Sequence, residues 1–145
     1  MGVLIDASIL IEYERKRFDL KRHLAQRPQE EFFLSVITVS ELLHGVHRAV
    51  RSEVRAKRSA FVEALLENFP LLPIDLATAR AHAQVWAELA VAGRMIGPND
   101  LWLAATGLAH GLTVVTANVR EFASVSGLTV EVWGEFADGR ETEAD

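Results

Sequence analysis

Short aliphatic segments alternate along this chain with longer segments that have the apolar spacing of helices. The first, Val3-Leu4-Ile5, is typical of a strand that is buried on both faces. Further strands are predicted at 32–37, 71–75, 112–116 and 128–132. Strands that alternate with helices of ten or more residues form βαβ units. The sequence therefore predicts an α/β domain with a mainly parallel sheet.

Composition restricts the class of protein further. The chain has 145 residues, of which 50% are hydrophobic and 24% charged, and this excludes wholesale disorder. It has no cysteine, which excludes disulfides, thiolate zinc sites and a cysteine nucleophile. No apolar run approaches the roughly 18 residues of a membrane span, and no signal-like segment opens the chain. We expect a soluble, cytoplasmic protein with one domain over residues 1–134 and a flexible acidic tail at 135–145.

The charge is unevenly distributed. The net charge is −5, and the tail alone carries five acids and one arginine. Two basic clusters lie inside the domain: Arg15, Lys16, Arg17, Lys21, Arg22 and Arg27 form the first, and Arg48, Arg51, Arg55, Lys57 and Arg58 form the second. Solvated helix faces are the simpler interpretation of both clusters, and a phosphate-contacting patch is the alternative.

Polar residues recur near the predicted strand ends. Asp6 directly follows the first strand, and Asn118 lies just beyond the fourth. Thr38 and Glu41 fit a capping box, which places Glu41 in the first turn of the helix after the second strand. Asp100 lies in the first turn of the helix that leads into the fourth strand. Ligands of open α/β sheets bind outside the carboxyl ends of the strands, so these side chains are candidates for one site.

Taken singly, each acid is explained by helix capping and by the helix dipole. Together, carboxylates at one sheet edge would repel each other and raise one another's pKa unless a cation neutralised them. Oxygen ligands without cysteine favour a hard ion, Mg²⁺ or Mn²⁺. Such an ion can generate hydroxide and stabilise the charge of phosphoryl transfer. The residues alone therefore indicate an acidic metal site that acts on a phosphate ester.

Four sequence blocks resemble PIN-domain nucleases, most closely the VapC type, which is the toxin half of VapBC toxin–antitoxin pairs. The blocks are Val3-Leu4-Ile5-Asp6-Ala7-Ser8, Val39-Ser40-Glu41-Leu42-Leu43-His44-Gly45, Ile96-Gly97-Pro98-Asn99-Asp100-Leu101-Trp102-Leu103-Ala104-Ala105 and Val115-Thr116-Ala117-Asn118-Val119-Arg120-Glu121-Phe122. They occur in the family's order, and the resemblance covers roughly residues 3–133. It implies a three-layer α/β/α fold with strand order 3-2-1-4-5.

The resemblance also implies an activity and its residues. The expected activity is a Mg²⁺- or Mn²⁺-dependent endoribonuclease that leaves a 5′-phosphate and a 3′-hydroxyl. Asp6, Glu41 and Asp100 match the family's acidic triad. Our hypothesis is that Asp6 and Asp100 bind the metal directly, while Glu41 binds it through water or orients the attacking water. Asn118 matches a fourth position that is aspartate in many members, so one well-occupied metal site is expected. Thr116 and Ser8 match small hydroxyl positions beside the acids.

The partners implied by the resemblance are RNA, a VapB-like antitoxin and a second copy of the chain, as a homodimer or as a heterotetramer or larger assembly with the antitoxin. Arg94 and Arg120 are candidates for contacts with RNA phosphates. Two other functions stay open. One is a PIN-like module that binds RNA or a partner without cutting, and the other is a different Mg²⁺-dependent phosphate-ester hydrolase.

Overall fold

The computed structural model describes residues 2–134 of the chain. The strands are β1 (Gly2–Ile5), β2 (Glu31–Ser35), β3 (Leu71–Leu72), β4 (Thr113–Thr116) and β5 (Val130–Val132). The helices are α1 (Ala7–Glu14), α2 (Leu20–Ala25), α3 (Val36–Arg48), α4 (Ser52–Asn68), α5 (Leu76–Ala92) and α6 (Pro98–His110), and a 3₁₀ turn covers Val119–Phe122. The predicted acidic tail at 135–145 lies outside the described residues.

The five strands form one sheet with the order β3-β2-β1-β4-β5, and every neighbouring pair is parallel. This confirms the predicted strand order and the α/β fold class. β1 lies at the centre, so the residue that follows it, Asp6, lies at the middle of the carboxyl edge. β3 is an edge strand, as the proline at position 73 suggested, but it is shorter than the predicted 71–75.

Helices cover both faces of the sheet and make a three-layer α/β/α structure. Val3 and Ile5 pack in a hydrophobic cluster with residues of α1 to α4. Leu4 points to the opposite face and packs in a second cluster with residues of α5 and α6. Since successive side chains of a strand point to opposite faces, a strand covered on both sides is continuously apolar. This explains the aliphatic segment with which the chain begins.

The start of α3 differs from the prediction in a way that changes the interpretation of Glu41. The helix begins at Val36, and Ser35 caps it by accepting a hydrogen bond from the Ile37 N–H at 3.0 Å. Thr38 is therefore inside the helix, and its buried hydroxyl has no hydrogen-bond partner in the described part of the chain. The predicted capping box is wrong. Ser35 comes first after the buried strand and is able to cap, so the helix begins before the β-branched residues that suggested a longer strand.

The other helix ends follow the predicted signals. Asp75 caps α5 by accepting a hydrogen bond from the Thr78 N–H at 2.8 Å. Gly93 and Gly111 end α5 and α6 in the left-handed conformation, with φ of 68° and 64°. Within residues 2–134, no helix combines the length and the hydrophobicity that crossing a bilayer would require.

Candidate active site

The site is centred on Asp6, which is only 7% exposed. β1 and β4 pair in parallel, and the Asp6 N–H donates to the Val115 carbonyl at 2.9 Å, so the carboxyl ends of both strands meet here. Two hydroxyl groups donate to the same carboxylate oxygen of Asp6. Ser8 Oγ lies 2.7 Å and Thr116 Oγ1 lies 2.8 Å from Asp6 Oδ2.

Both hydroxyl groups are themselves held by the backbone. The Ala117 N–H donates to Ser8 Oγ at 3.0 Å, and the Asn118 N–H donates to Thr116 Oγ1 at 3.0 Å. The carboxylate of Asp6 is thereby fixed in position through Oδ2. Its other oxygen, Oδ1, accepts none of the hydrogen bonds formed among residues 2–134. Oδ1 is therefore the atom of Asp6 that is available to a ligand.

Asp100 and Glu41 lie close enough to Asp6 for its negative charge to raise the pKa of both groups. Burial and the negative charges of Asp6 and Glu121 raise the pKa of Asp100 to about 6. Burial, followed by the charges of Asp6 and Asp100, also raises the pKa of Glu41. A hydrogen bond from Asn99 to the Glu41 side chain opposes that increase in pKa. The structure thus brings the three predicted acids together, although they come from three separate segments of the chain.

Glu121 is a further acid beside Asp100, and the sequence motifs did not predict its place there. Its carboxylate lies close enough to Asp100 to contribute to the raised pKa of Asp100. The 3₁₀ turn Val119–Phe122 folds this carboxylate back toward the sheet edge. The spacing of Asn118 and Glu121, a capping residue followed three positions later by an acid, was the signal that could have revealed it. The fourth carboxylate therefore comes from the turn after β4.

The remaining predicted residues are exposed. Asn118 is exposed, begins the 3₁₀ turn, and contacts the Glu121 carboxylate only at 3.5 Å through Nδ2. Arg94 lies in the loop between α5 and α6, and Arg120 lies in the 3₁₀ turn. Both arginines are exposed, and neither forms an ion pair with another described residue. The structure does not bring these two side chains into contact with the acids.

Comparison with known proteins places this arrangement in a family. Residues 3–128 match the PIN domain family. The chain belongs to the PIN domain family. The chain is 34% identical over 132 residues to ribonuclease VapC1 of Rickettsia felis. This match covers 90% of this chain and 95% of that protein. It is 35% identical over 119 residues to the tRNA(fMet)-specific endonuclease VapC of Shigella flexneri, covering 82% of this chain and 83% of that protein.

Solved structures agree with this membership. The PIN domain described above matches DNA-bound VapBC from Salmonella typhimurium with a TM-score of 0.83 and 26% identity, over 91% of this chain and 98% of that one. It matches VapBC-5 from Mycobacterium tuberculosis with a TM-score of 0.72 and 32% identity, over 90% of this chain and 96% of that one. The predicted family and fold are confirmed.

Nucleases of this family generally depend on a divalent metal ion. The side chains at this sheet edge are chemically suited to bind one. The groups are carboxylate and hydroxyl oxygens, which hard cations prefer. Raised pKa values at Asp100 and Glu41 indicate negative charge that a bound cation would neutralise. Among residues 2–134, no three Asp, Glu or His side chains enclose a ready-made ion site. This geometry suits an ion that takes one or two protein carboxylates and keeps several waters.

Replacing Thr116 by valine tests whether the hydroxyl positions Asp6. Valine has a similar volume but cannot donate to Asp6 or accept from the Asn118 N–H, so we expect a loss of about 1–3 kcal/mol in stability. Loss of a hydrogen bond that orients a ligand costs about 10–100-fold in metal affinity or activity. Thermal unfolding and titration with Mn²⁺ measure the two effects. Thr116→Ser keeps the hydroxyl and should restore metal affinity; equal metal affinity in Thr116→Val and wild type would contradict the role.

Proposed function

We propose that this PIN domain is a divalent metal-dependent endoribonuclease that acts as the toxin of a type II toxin–antitoxin pair. It hydrolyses RNA phosphodiester bonds and leaves a 5′-phosphate and a 3′-hydroxyl. The observation that carries the proposal is the juxtaposition of Asp6, Glu41, Asp100 and Glu121 at the carboxyl edge of the sheet. Relatives of similar length named ribonuclease VapC support it. The proposed location is the cytoplasm, where such an RNA substrate would be met.

Asp6 and Asp100 are the proposed direct ligands of Mg²⁺ or Mn²⁺. Asp6 offers its Oδ1 atom, because Oδ2 already accepts hydrogen bonds from Ser8 and Thr116. A bound ion would lower the pKa of a water molecule and neutralise negative charge on the phosphate. Asn118 carries no charge, so one well-occupied site is favoured, with Glu121 supplying the fourth carboxylate through its contact with Asp100.

Glu41 is the proposed water-orienting group. Burial and the neighbouring acids raise the pKa of Glu41. A group that exchanges protons with the attacking water is most effective when its pKa lies near the working pH. The neighbouring Asn99 side chain lowers the pKa of Glu41 and so opposes the effect of burial. Ser8 and Thr116 keep the neighbouring Asp6 fixed while the substrate is bound. Arg94 and Arg120, which are both exposed, are proposed contacts to RNA phosphates.

The proposed protein partners are an antitoxin and a second copy of the chain. Solved relatives are VapBC assemblies of toxin and antitoxin. This chain has an apolar groove of about 720 Å³ between α1, α2 and α4, whose lining includes Tyr13, Leu24, Phe61, Leu65 and Phe69. Such a groove suits the apolar face of an amphipathic helix, and we assign it to the antitoxin. Exposed Trp86, Val91 and Met95, in and after α5, make that helix the candidate homodimer face.

Glu41→Gln provides the test of the proposed function. Glu41 does not cap α3, and its charged form is disfavoured where it lies, so glutamine should leave the melting temperature unchanged or raise it slightly. Cleavage of total RNA in Mg²⁺ should fall by about 10²-fold or more. Sequencing of RNA ends should find 5′-phosphates at the sites cut by the wild type, and EDTA should abolish them.

Glu63→Gln is the matched control, because Glu63 is exposed on α4 and is not among the charges that act on Glu41 or Asp100. It should cut at the wild-type rate. If Glu41→Gln unfolds the protein, Glu41 is structural and the proposed role is wrong. If the wild type with Mg²⁺ or Mn²⁺ cuts no RNA while it binds RNA, the chain is a binding module and the proposed activity is wrong.

A further inference from the structure

A small pocket of about 200 Å³, lined by charged and apolar side chains, opens beside the acidic site. It lies where the end of α1, one face of α3 and the middle of α4 meet. Its charged lining residues are Glu14, Arg15, Glu41, Arg48 and Arg58. Arg15 belongs to the first basic cluster of the sequence, and Arg48 and Arg58 belong to the second. The fold therefore joins two basic segments that are far apart in the chain at a pocket that also contains a proposed catalytic acid.

One face of α3 leads from the acids into this pocket. Glu41, Gly45 and Arg48 are spaced at i, i+4 and i+7, so they lie along the same side of the helix. Glu41 is coupled electrostatically to Asp6 and Asp100 at one end. Arg48 lies about 10 Å further along the helix axis. An extended ligand that contacts the acids can therefore continue along α3 to the arginines.

The three arginines of the pocket differ in burial and in whether another residue holds the guanidinium group. Arg58 is half-buried, and its Nη1 donates to the Gly45 carbonyl at 3.0 Å, which fixes the guanidinium at the pocket wall. Arg15 and Arg48 are exposed, and their side chains form no ion pair or hydrogen bond within residues 2–134. The lining carries three positive charges against two carboxylates, Glu14 and Glu41. Glu41 belongs to the acidic site, so the outer part of the pocket is net positive.

Gly45 leaves space at the centre of this face. A side chain built there would meet no heavy atom within 4 Å, so packing does not require glycine. Glycine in the middle of a helix is less stable than alanine, and α3 continues for three residues beyond it. A glycine with no packing reason, in the lining of a pocket, is suited to the close approach of a ligand backbone.

We propose that this pocket binds a phosphate of the RNA strand that is cut, next to the phosphate at the acidic site. The guanidinium group presents a fork of donors that fits phosphate oxygens, and exposed arginines without partners are free to provide it. Gly45 lets the sugar–phosphate backbone approach α3 between the acids and the arginines. The inference rests on the proposed function, and it adds Arg15, Arg48, Arg58 and Gly45 as substrate-binding residues.

The first test removes charge without touching the fold. In an Asp6→Asn background that binds RNA without cutting it, Arg15→Ala/Arg48→Ala is compared with Lys57→Ala/Arg80→Ala. Lys57 and Arg80 are exposed and do not line the pocket. Binding of a labelled 16-nucleotide single-stranded RNA is measured by anisotropy from 50 to 250 mM salt. The pocket variant should bind about tenfold more weakly, and its slope of log affinity against log salt should flatten by about 1.4.

The second test fills the pocket. Gly45→Leu should keep or raise the melting temperature, by about 2–5 °C, since leucine favours a helix and meets no neighbour at Cβ. RNA affinity should nevertheless fall about tenfold, with a salt slope close to that of the parent protein. Gly45→Ala, with a smaller side chain, should show the same increase in melting temperature and a smaller loss of affinity.

The outcomes separate this inference from the proposed function. If the wild type cuts RNA and the pocket variants bind it as the controls do, the pocket inference is wrong and the nuclease proposal stands. If the pocket variants lose affinity for an acidic peptide but not for RNA, the pocket belongs to a protein partner and the inference is also wrong. If the wild type cuts no RNA, the proposed function fails, whatever the anisotropy shows.

Discussion

Asp6→Asn should reduce RNA cleavage by at least about 10³-fold while the protein stays folded. Asparagine has the same shape, and its carbonyl oxygen can still accept hydrogen bonds from Ser8 and Thr116. It removes the negative charge at the end of the central strand, where Ser8 and Thr116 orient the carboxylate. Because Asp6 is a proposed direct ligand of the metal, the effect should exceed the 10–100-fold typical of residues that only orient ligands.

Asp75→Asn is the matched control for this prediction. It is the same chemical change at an acid that caps α5, outside the site, and asparagine caps helices as well as aspartate does. Cleavage of total RNA in Mg²⁺ and melting temperature should be measured for both variants. Asp75→Asn should cut at the wild-type rate. Full activity in Asp6→Asn would remove Asp6 from the site and with it the assignment of the sheet edge as catalytic.

The central part of the fold was predictable because its causes are local or topological. A continuously apolar β1 requires cover on both faces, and this follows from the side-chain alternation of a strand. Parallel strands place their carboxyl ends at one edge, so the convergence of Asp6 with the end of β4 followed from the alternation of strands and helices. The strand order came from the resemblance to PIN-domain nucleases, since spacing alone does not determine it.

Glu41 shows where local patterns mislead. The Thr38–Glu41 spacing fits a capping box, but Ser35 caps α3 first, so Glu41 is placed one turn deeper. Its half-buried position beside Asp6 and Asp100, which raises its pKa, is a tertiary effect that no local pattern reports. The capping interpretation was the main structural alternative for this residue. The structure removes that alternative.

Glu121 and the arginine pocket were hidden for a related reason. Glu121 is five residues past the end of β4, and the 3₁₀ turn returns it to Asp100. The two basic clusters looked like separate solvated faces because about 30 residues separate Arg15 from Arg48. Packing of α1, α3 and α4 brings them to one pocket. Contacts between distant segments depend on how helices pack, and local sequence patterns do not predict which residues meet.

Asp100→Asn should stabilise the metal-free protein at neutral pH while abolishing cleavage. The pKa of Asp100 is about 6 in the folded protein, above the ordinary value of 3.8 that applies when the chain unfolds. Below pH 3.8 the carboxyl is protonated in both states and has no effect on stability. Between pH 3.8 and 6 folding becomes progressively less favourable, and above pH 6 the full cost remains.

Two pKa units correspond to about 3 kcal/mol, and solvent screening of this half-buried group reduces the expected gain in Asp100→Asn to about 1–2 kcal/mol at pH 7.5. The gain should shrink toward zero as the pH falls from 7.5 to about 4. Saturating Mn²⁺ should reverse the order of stability, because binding would stabilise the wild type and the variant lacks a proposed metal ligand. Thermal unfolding with EDTA and with Mn²⁺ across this pH range measures each effect.

Asp75→Asn again provides the control, with the opposite sign. Hydrogen bonds from Thr78 lower the pKa of Asp75, so its charge stabilises the fold, and its replacement should lower stability slightly at neutral pH whether or not Mn²⁺ is present. If Asp100→Asn is less stable than the wild type in EDTA at pH 7.5, the fold does not destabilise the ionised form of Asp100. The group of acids would then be an ordinary set of surface charges, because a site kept for a cation must be costly when the cation is absent.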